Sequence, residues 1–168
     1  MKRLFIAIEI PKKLKEQITT ELIAPLENVK KVPQENLHIT LCFIGDTHEE
    51  KEKQLIKALE KIEFKKFNAL VGGAGQFNER VFWVSVESIQ LYELAEQISK
   101  ILGIDNEFNG HITIARANDG TDFKKEFSKI RGKKINQTIM VKEFDLIESK
   151  PTTEGSVYSK VKEFKSKA

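Results

Sequence analysis

The chain opens on an apolar run, Leu4 to Ile8, set between Arg3 and Glu9, and a short run of this kind predicts a β-strand from Arg3 to Ile10. Pro11 then stands at a helix start, and the spacing of apolar positions predicts an amphipathic helix through about Ala24, stopped by Pro25. A second strand is expected from Asn36 to Gly45. Asp46 or Thr47 can cap the helix that follows, from about His48 to Ile62. Phe64 to Val71 reads as a strand, Gly72-Gly73-Ala74-Gly75 as a turn, and Arg80 to Val86 as a strand centred on Trp83. Ser88 caps a helix through about Leu102. Gly103 and a polar loop lead to another strand, Gly110 to Ala117. The last third predicts a short helix from about Asp122 to Lys129 and a long strand from about Gln137 to Ser149. A turn from Pro151 to Gly155 and a strand from Ser156 to Phe164 close it as a hairpin.

Two of these strands begin alike. His38-Ile39-Thr40-Leu41 and His111-Ile112-Thr113-Ile114 start 73 residues apart and hold two of only three histidines in the chain. On a strand, each His shares a face with its Thr, while Ile39, Leu41, Ile112 and Ile114 take the other. Each tetrapeptide therefore anchors in a core and shows an imidazole and a hydroxyl to a cleft. A strand-helix-strand order precedes both copies, the mark of an internal duplication. The expected architecture is α+β: two pseudo-symmetric lobes, antiparallel-dominated sheets facing a central cleft, helices outside. Two imidazoles across such a cleft can take and give a proton at neutral pH. His48 lacks the strand context and the paired Thr, so it reads as an exposed residue in the first turn of its helix.

Composition narrows the function classes. The 168 residues, 40% hydrophobic and 32% charged, suit one bilobal unit over residues 1–168. No apolar run is long enough to cross a bilayer, and a cytoplasmic location is expected. The net charge of +3 permits a polyanionic partner without the strongly basic stripe of a duplex-wrapping protein. The glycine run is no P-loop, since no Gly-Lys-Ser/Thr follows, and it opens no helix as a dinucleotide fingerprint does. Cys42, the single cysteine, has no disulfide partner. Simple alternation puts it on the His38 face, as a pocket wall or as a small half-buried residue without chemistry. No carboxylate or Cys stands at ligand spacing near either motif, so no metal or cofactor is expected.

The chain resembles the two-histidine (2H) phosphoesterases, specifically the RNA 2′,3′-cyclic phosphodiesterases also called 2′-5′ RNA ligases. The resemblance rests on Arg3-Leu4-Phe5-Ile6-Ala7-Ile8, Asn36-Leu37-His38-Ile39-Thr40-Leu41 with Phe43-Ile44-Gly45, and Arg80-Val81-Phe82-Trp83. His111-Ile112-Thr113-Ile114-Ala115-Arg116 and Gly155-x-x-Tyr158 complete it. Two positions depart from the family pattern: Gly110 stands where Pro is usual, and Cys42 where Lys is common. The resemblance implies opening of a 2′,3′-cyclic phosphate to a 2′-phosphomonoester, with His38 as general acid toward the ribose O3′ and His111 as general base for water. Thr40 and Thr113 are the expected hydrogen-bond donors to the phosphate. Arg116 is a phosphate ligand by resemblance. Alternation places it on the opposite face, and a bulge near the strand end can redirect it. Phe77, Trp83 and Tyr158 are candidates for stacking on a base, or core residues; Phe5, Phe43 and Phe82 read as core. The expected partners are RNA ends or small nucleotides, bound by a monomer without duplex or membrane binding. The alternatives are a phosphodiesterase acting on a small cyclic or 2′-5′-linked nucleotide, and an RNA-binding module without turnover.

Overall fold

The computed structural model describes the whole chain, Met1–Ala168. Nine strands and four α-helices follow in the order β1 (Lys2–Glu9), α1 (Lys12–Ile18), β2 (Val29–Lys31), β3 (His38–Thr47), α2 (Glu49–Leu59), β4 (Phe67–Phe77), β5 (Val81–Glu87), α3 (Ile89–Leu102), β6 (His111–Ala117), α4 (Phe123–Ser128), β7 (Lys134–Val141), β8 (Glu143–Thr152) and β9 (Gly155–Lys165). They build two antiparallel sheets, ordered β3-β1-β8-β9 and β2-β6-β5-β4-β7. Without β2 the two orders correspond strand for strand, so the lobes are related as two copies of one four-stranded unit. The helices pack outside the sheets, and buried residues of both lobes join in one apolar cluster that includes Leu4, Ile6, Ile39, Leu59, Phe82, Leu91, Ile112 and Phe144. No helix is long and apolar enough to cross a membrane.

Several local signals act as the sequence predicts. The Ser88 hydroxyl accepts the Leu91 N–H at 3.2 Å and starts α3, and Gly103 ends it in a left-handed conformation (φ 65°). The closing hairpin pairs β8 with β9 from Glu143↔Lys165 to Thr152↔Gly155. Others differ. α1 passes after Ile18 into a π-helical turn, Thr19–Ile23, and Pro11 occupies the cap position in front of it. His48, exposed and without a side-chain capping bond, takes the N-cap of α2 that Asp46 or Thr47 was expected to fill; the Thr47 hydroxyl donates instead to the Gly45 carbonyl at 2.9 Å.

The glycine run is not a turn. It lies inside β4, because the indole of Trp83 covers Gly75 so closely that a Cβ there would sit 2.2 Å from the ring. The chain reverses three residues later, at Asn78 and Glu79, both left-handed (φ 51° and 54°), with the Glu79 N–H bonded to Gln76 Oε1 at 2.9 Å. The predicted strand from Gln137 to Ser149 is two strands. It changes sheets at Lys142, whose carbonyl is held by the Ser166 N–H at 2.7 Å. No Gly or Pro marks that crossing.

Candidate active site

The two His-x-Thr strands meet where the lobes join, and Asn106 Nδ2 ties the junction by donating to the Leu41 carbonyl at 2.9 Å. Between them lies a cleft of about 270 Å³ lined by His38, Thr40, His111, Thr113 and Arg116, together with Arg3, Phe5, Asn36, Phe43, Tyr158 and their neighbours. At about 30 Å³ per water, that volume holds about nine molecules, enough for a phosphate and part of a sugar.

Both imidazoles are fixed by one local device. His38 Nδ1 is 2.6 Å from the Asn36 carbonyl, and His111 Nδ1 is 2.7 Å from the Asn109 carbonyl. A carbonyl only accepts, so each Nδ1 carries hydrogen and each Nε2 is left to the cleft. Asn36 is itself anchored, since its side-chain Nδ2 donates to the Ser156 carbonyl at 2.9 Å. Thr40 Oγ1 lies 2.8 Å from His38 Nε2. With Nδ1 protonated, this hydroxyl donates to Nε2. Burial disfavours the imidazolium and lowers the His38 pKa, against the Asn36 hydrogen bond that raises it; the positive charge of Lys15 and the neighbouring His111 lower it further.

A matched irregularity completes the site. Ala7 pairs with Thr40 but Ile6 with Cys42, so Leu41 is an extra residue in β3; Trp83 pairs with Thr113 but Phe82 with Ala115, so Ile114 is an extra residue in β6. Each bulge shifts the alternation by one residue. In β6 it turns Arg116 into the cleft, which simple alternation denies it. In β3 it turns Cys42 into the core, 1% exposed, and brings Phe43 out, 57% exposed, onto the cleft wall. Both the pocket-wall reading of Cys42 and the core reading of Phe43 are thereby corrected. Burial also pushes the Cys42 thiol pKa up, away from reactivity.

The aromatic side chains divide between the lobes. Tyr158 and Phe5 pack on His38, with ring centroids 5.4 and 5.1 Å away, and Phe77 stands edge-on to His111 at 5.2 Å with Trp83 behind it. Tyr158 lines the cleft, whereas Phe77 and Trp83 support its His111 side. Phe82 is fully buried as expected; Phe5 is 4% exposed but lies against His38, its ring tilted 40° to the imidazole.

Arg3 and Asn36 are cleft residues that motif reading did not single out. Arg3 shares the inward face of β1 with Phe5, a period-two signal that was available. The role of Asn36 runs through its backbone, which no residue type announces. Neither Arg3 nor Arg116 has a carboxylate within 4.0 Å. The side chains grouped closely enough to hold a cation, Glu143, Asp145 and Glu163, lie on β8 and β9, and the Lys160 ammonium already sits beside two of them, 3.5 Å from Asp145 and 2.7 Å from Glu163.

Known proteins share both the sequence and the shape. The family model described as LigT like Phosphoesterase matches residues 8–83, the stretch from β1 through the first motif to Trp83. The RNA 2′,3′-cyclic phosphodiesterase of Thermotoga maritima is 31% identical over 173 residues, covering 93% of this chain and 91% of that protein. The enzyme of the same name from Archaeoglobus fulgidus is 29% identical over 174 residues, covering 96% and 99%. The crystal structure of Escherichia coli LigT complexed with phosphate superimposes with a TM-score of 0.85 at 26% identity, over 99% of this chain and 98% of that one. The fold is that of the two-histidine phosphoesterases. Within that class, the chain belongs to the LigT-like phosphoesterase family.

Proposed function

We propose that this protein opens RNA 2′,3′-cyclic phosphate ends to 2′-phosphomonoesters by acid–base catalysis between His38 and His111, without a metal. The observation that carries the reading is the matched pair of Nδ1–carbonyl bonds, which leaves two Nε2 atoms and two threonine hydroxyls for one cationic cleft. The names of the Thermotoga and Archaeoglobus relatives and the phosphate held by Escherichia coli LigT support it.

In the proposed step a water oxygen bonds to phosphorus as the P–O3′ bond breaks. His111 takes the proton of the water and His38 gives one to O3′. Burial keeps His38 neutral while the cleft is empty, so its proton arrives with the substrate, whose negative charge beside Nε2 favours the imidazolium. Protonation also ends the bond that Nε2 accepted from Thr40: Nε2–H is then the proton aimed at O3′, and the Thr40 hydroxyl is released to donate to a non-bridging phosphate oxygen. Thr113 does the same from the other lobe, while Arg116 and Arg3 balance the charge that builds. Tyr158 offers the nearest face on which a base can stack. A ribose hydroxyl in place of water makes a 2′-5′ linkage by the same proton transfers.

The test is hydrolysis of an oligoribonucleotide ending in a 2′,3′-cyclic phosphate, in EDTA, with the product phosphate located. Metal-independent release of a 2′-phosphate is the expected result. A 3′-phosphate, or turnover of small 2′-5′-linked nucleotides alone, overturns the reading.

A further inference from the structure

Strand β2 has no counterpart in the other lobe. It extends the second sheet beyond β6, so the His111 strand is flanked on both sides while the His38 strand is an edge. Its pairing places Lys30 directly opposite Arg116. Residues directly opposite one another share a sheet face, and here that face is the cleft side. The neighbours agree. Val32, two residues on and hence on the same face, lines the cleft, whereas Lys31, on the other face, bonds the Ala24 carbonyl at 3.4 Å. Lys30 therefore begins one strand spacing, about 5 Å, farther from the histidines than Arg116.

Charge is compatible with that pairing. Neither Lys30 nor Arg116 has a carboxylate within 4.0 Å, and both are exposed. Two adjacent uncompensated cations leading away from a phosphate-sized cleft suit a second phosphate on the same strand. A free nucleoside cyclic phosphate has none. An RNA end does.

Resting on the reading of the cleft as a cyclic-phosphate site, we propose that Lys30, beside Arg116, holds the backbone phosphate next to the cyclic end. It thereby selects oligoribonucleotide ends over mononucleotide cyclic phosphates.

The experiment compares wild type, Lys30→Ala and Lys31→Ala on adenosine 2′,3′-cyclic phosphate and on an oligoribonucleotide with a cyclic end, at low salt. In parallel, binding of a fluorescent oligoribonucleotide ending in a 2′-phosphate is followed as salt is raised. Lys30→Ala is expected to lower kcat/KM on the oligomer by about threefold or more, through KM, and to leave the mononucleotide unchanged. The slope of log affinity against log salt should fall by about 0.7, the value for one lost single-strand phosphate contact. Lys31→Ala should change neither. Equal losses on both substrates, or an unchanged oligomer affinity and slope, overturn the proposal. A wild type that opens neither substrate defeats the reading of the site instead, and the binding series still decides the role of Lys30.

Discussion

Gly110 precedes the second motif where Pro is usual in the family, and the structure predicts that restoring Pro damages this protein. A Cβ built on Gly110 lies 2.2 Å from the Val86 carbonyl oxygen, a backbone atom of the paired strand that cannot swing aside. Relief requires parting β5 from the entry to β6, where the Gly110 carbonyl accepts the Val86 N–H at 2.9 Å. Overpacking of this kind costs about 1–3 kcal/mol and a lost hydrogen bond about 1 kcal/mol, so Gly110→Ala should destabilise by about 2–4 kcal/mol. At about 2–4 °C per kcal/mol for a chain of this size, Tm should fall by about 4–16 °C. Gly110→Pro should fall further, because it also removes the N–H that donates to the Tyr92 hydroxyl at 3.1 Å. Activity should suffer beyond the loss of folded protein, since the neighbouring Asn109 carbonyl sets the ring of His111. Thermal unfolding and kcat measured well below Tm check both parts. A Gly110→Pro variant as stable as wild type would show that the approach to Val86 is not a constraint.

Two further outcomes follow from the site and its surroundings. Thr40→Val removes the hydroxyl at His38 Nε2 and a donor to phosphate, so kcat should drop by a factor of about 10² with Tm changed by only a few degrees; an unchanged kcat argues against that role. Asp145 is almost fully buried, and desolvation raises its pKa from 3.8 to about 6 against the pull of Lys160. Its stabilising contribution is therefore present in acid, where the folded state holds the extra proton, and is lost as pH rises through about 6, a difference of about 3 kcal/mol. Urea denaturation of Asp145→Asn at about pH 4 and about pH 8 should show a correspondingly smaller loss than wild type, and parallel pH dependences would contradict the assignment.

The regular parts of the fold were legible because local signals sufficed: the short apolar run of β1, the Ser88 cap and Gly103 terminator of α3, and turn residues between β8 and β9. The His-x-Thr repeat likewise announced the pairing of lobes. What stayed hidden depends on contacts distant in sequence. Nothing near Gly72–Gly75 says that Trp83 will lie over the strand and make the glycines part of it. Nothing at Lys142 says that one β-prone run will serve two sheets. β2 is three residues long, two of them lysine, and owes its existence to pairing with β6. The bulges at Leu41 and Ile114 matter most. Alternation carried past them assigns Cys42, Phe43 and Arg116 to the wrong faces, although the parallel sequences Thr40-Leu41-Cys42 and Thr113-Ile114-Ala115 repeat the irregularity faithfully.

That two imidazoles act as one proton-transfer unit is tested by His38→Ala, His111→Ala and the double variant. They are assayed on a cyclic-phosphate RNA end against pH, with folding verified by Tm. Each single substitution should abolish nearly all turnover and the double variant should cost little more, as groups that work together are strongly non-additive. In wild type, kcat/KM should pass through a maximum with pH, since one imidazole must hold a proton while the other is neutral, and one limb of the profile should lie below the ordinary histidine value of 6.5 because burial lowers the pKa of His38. Turnover that survives either substitution, or losses that multiply in the double variant, would contradict the account.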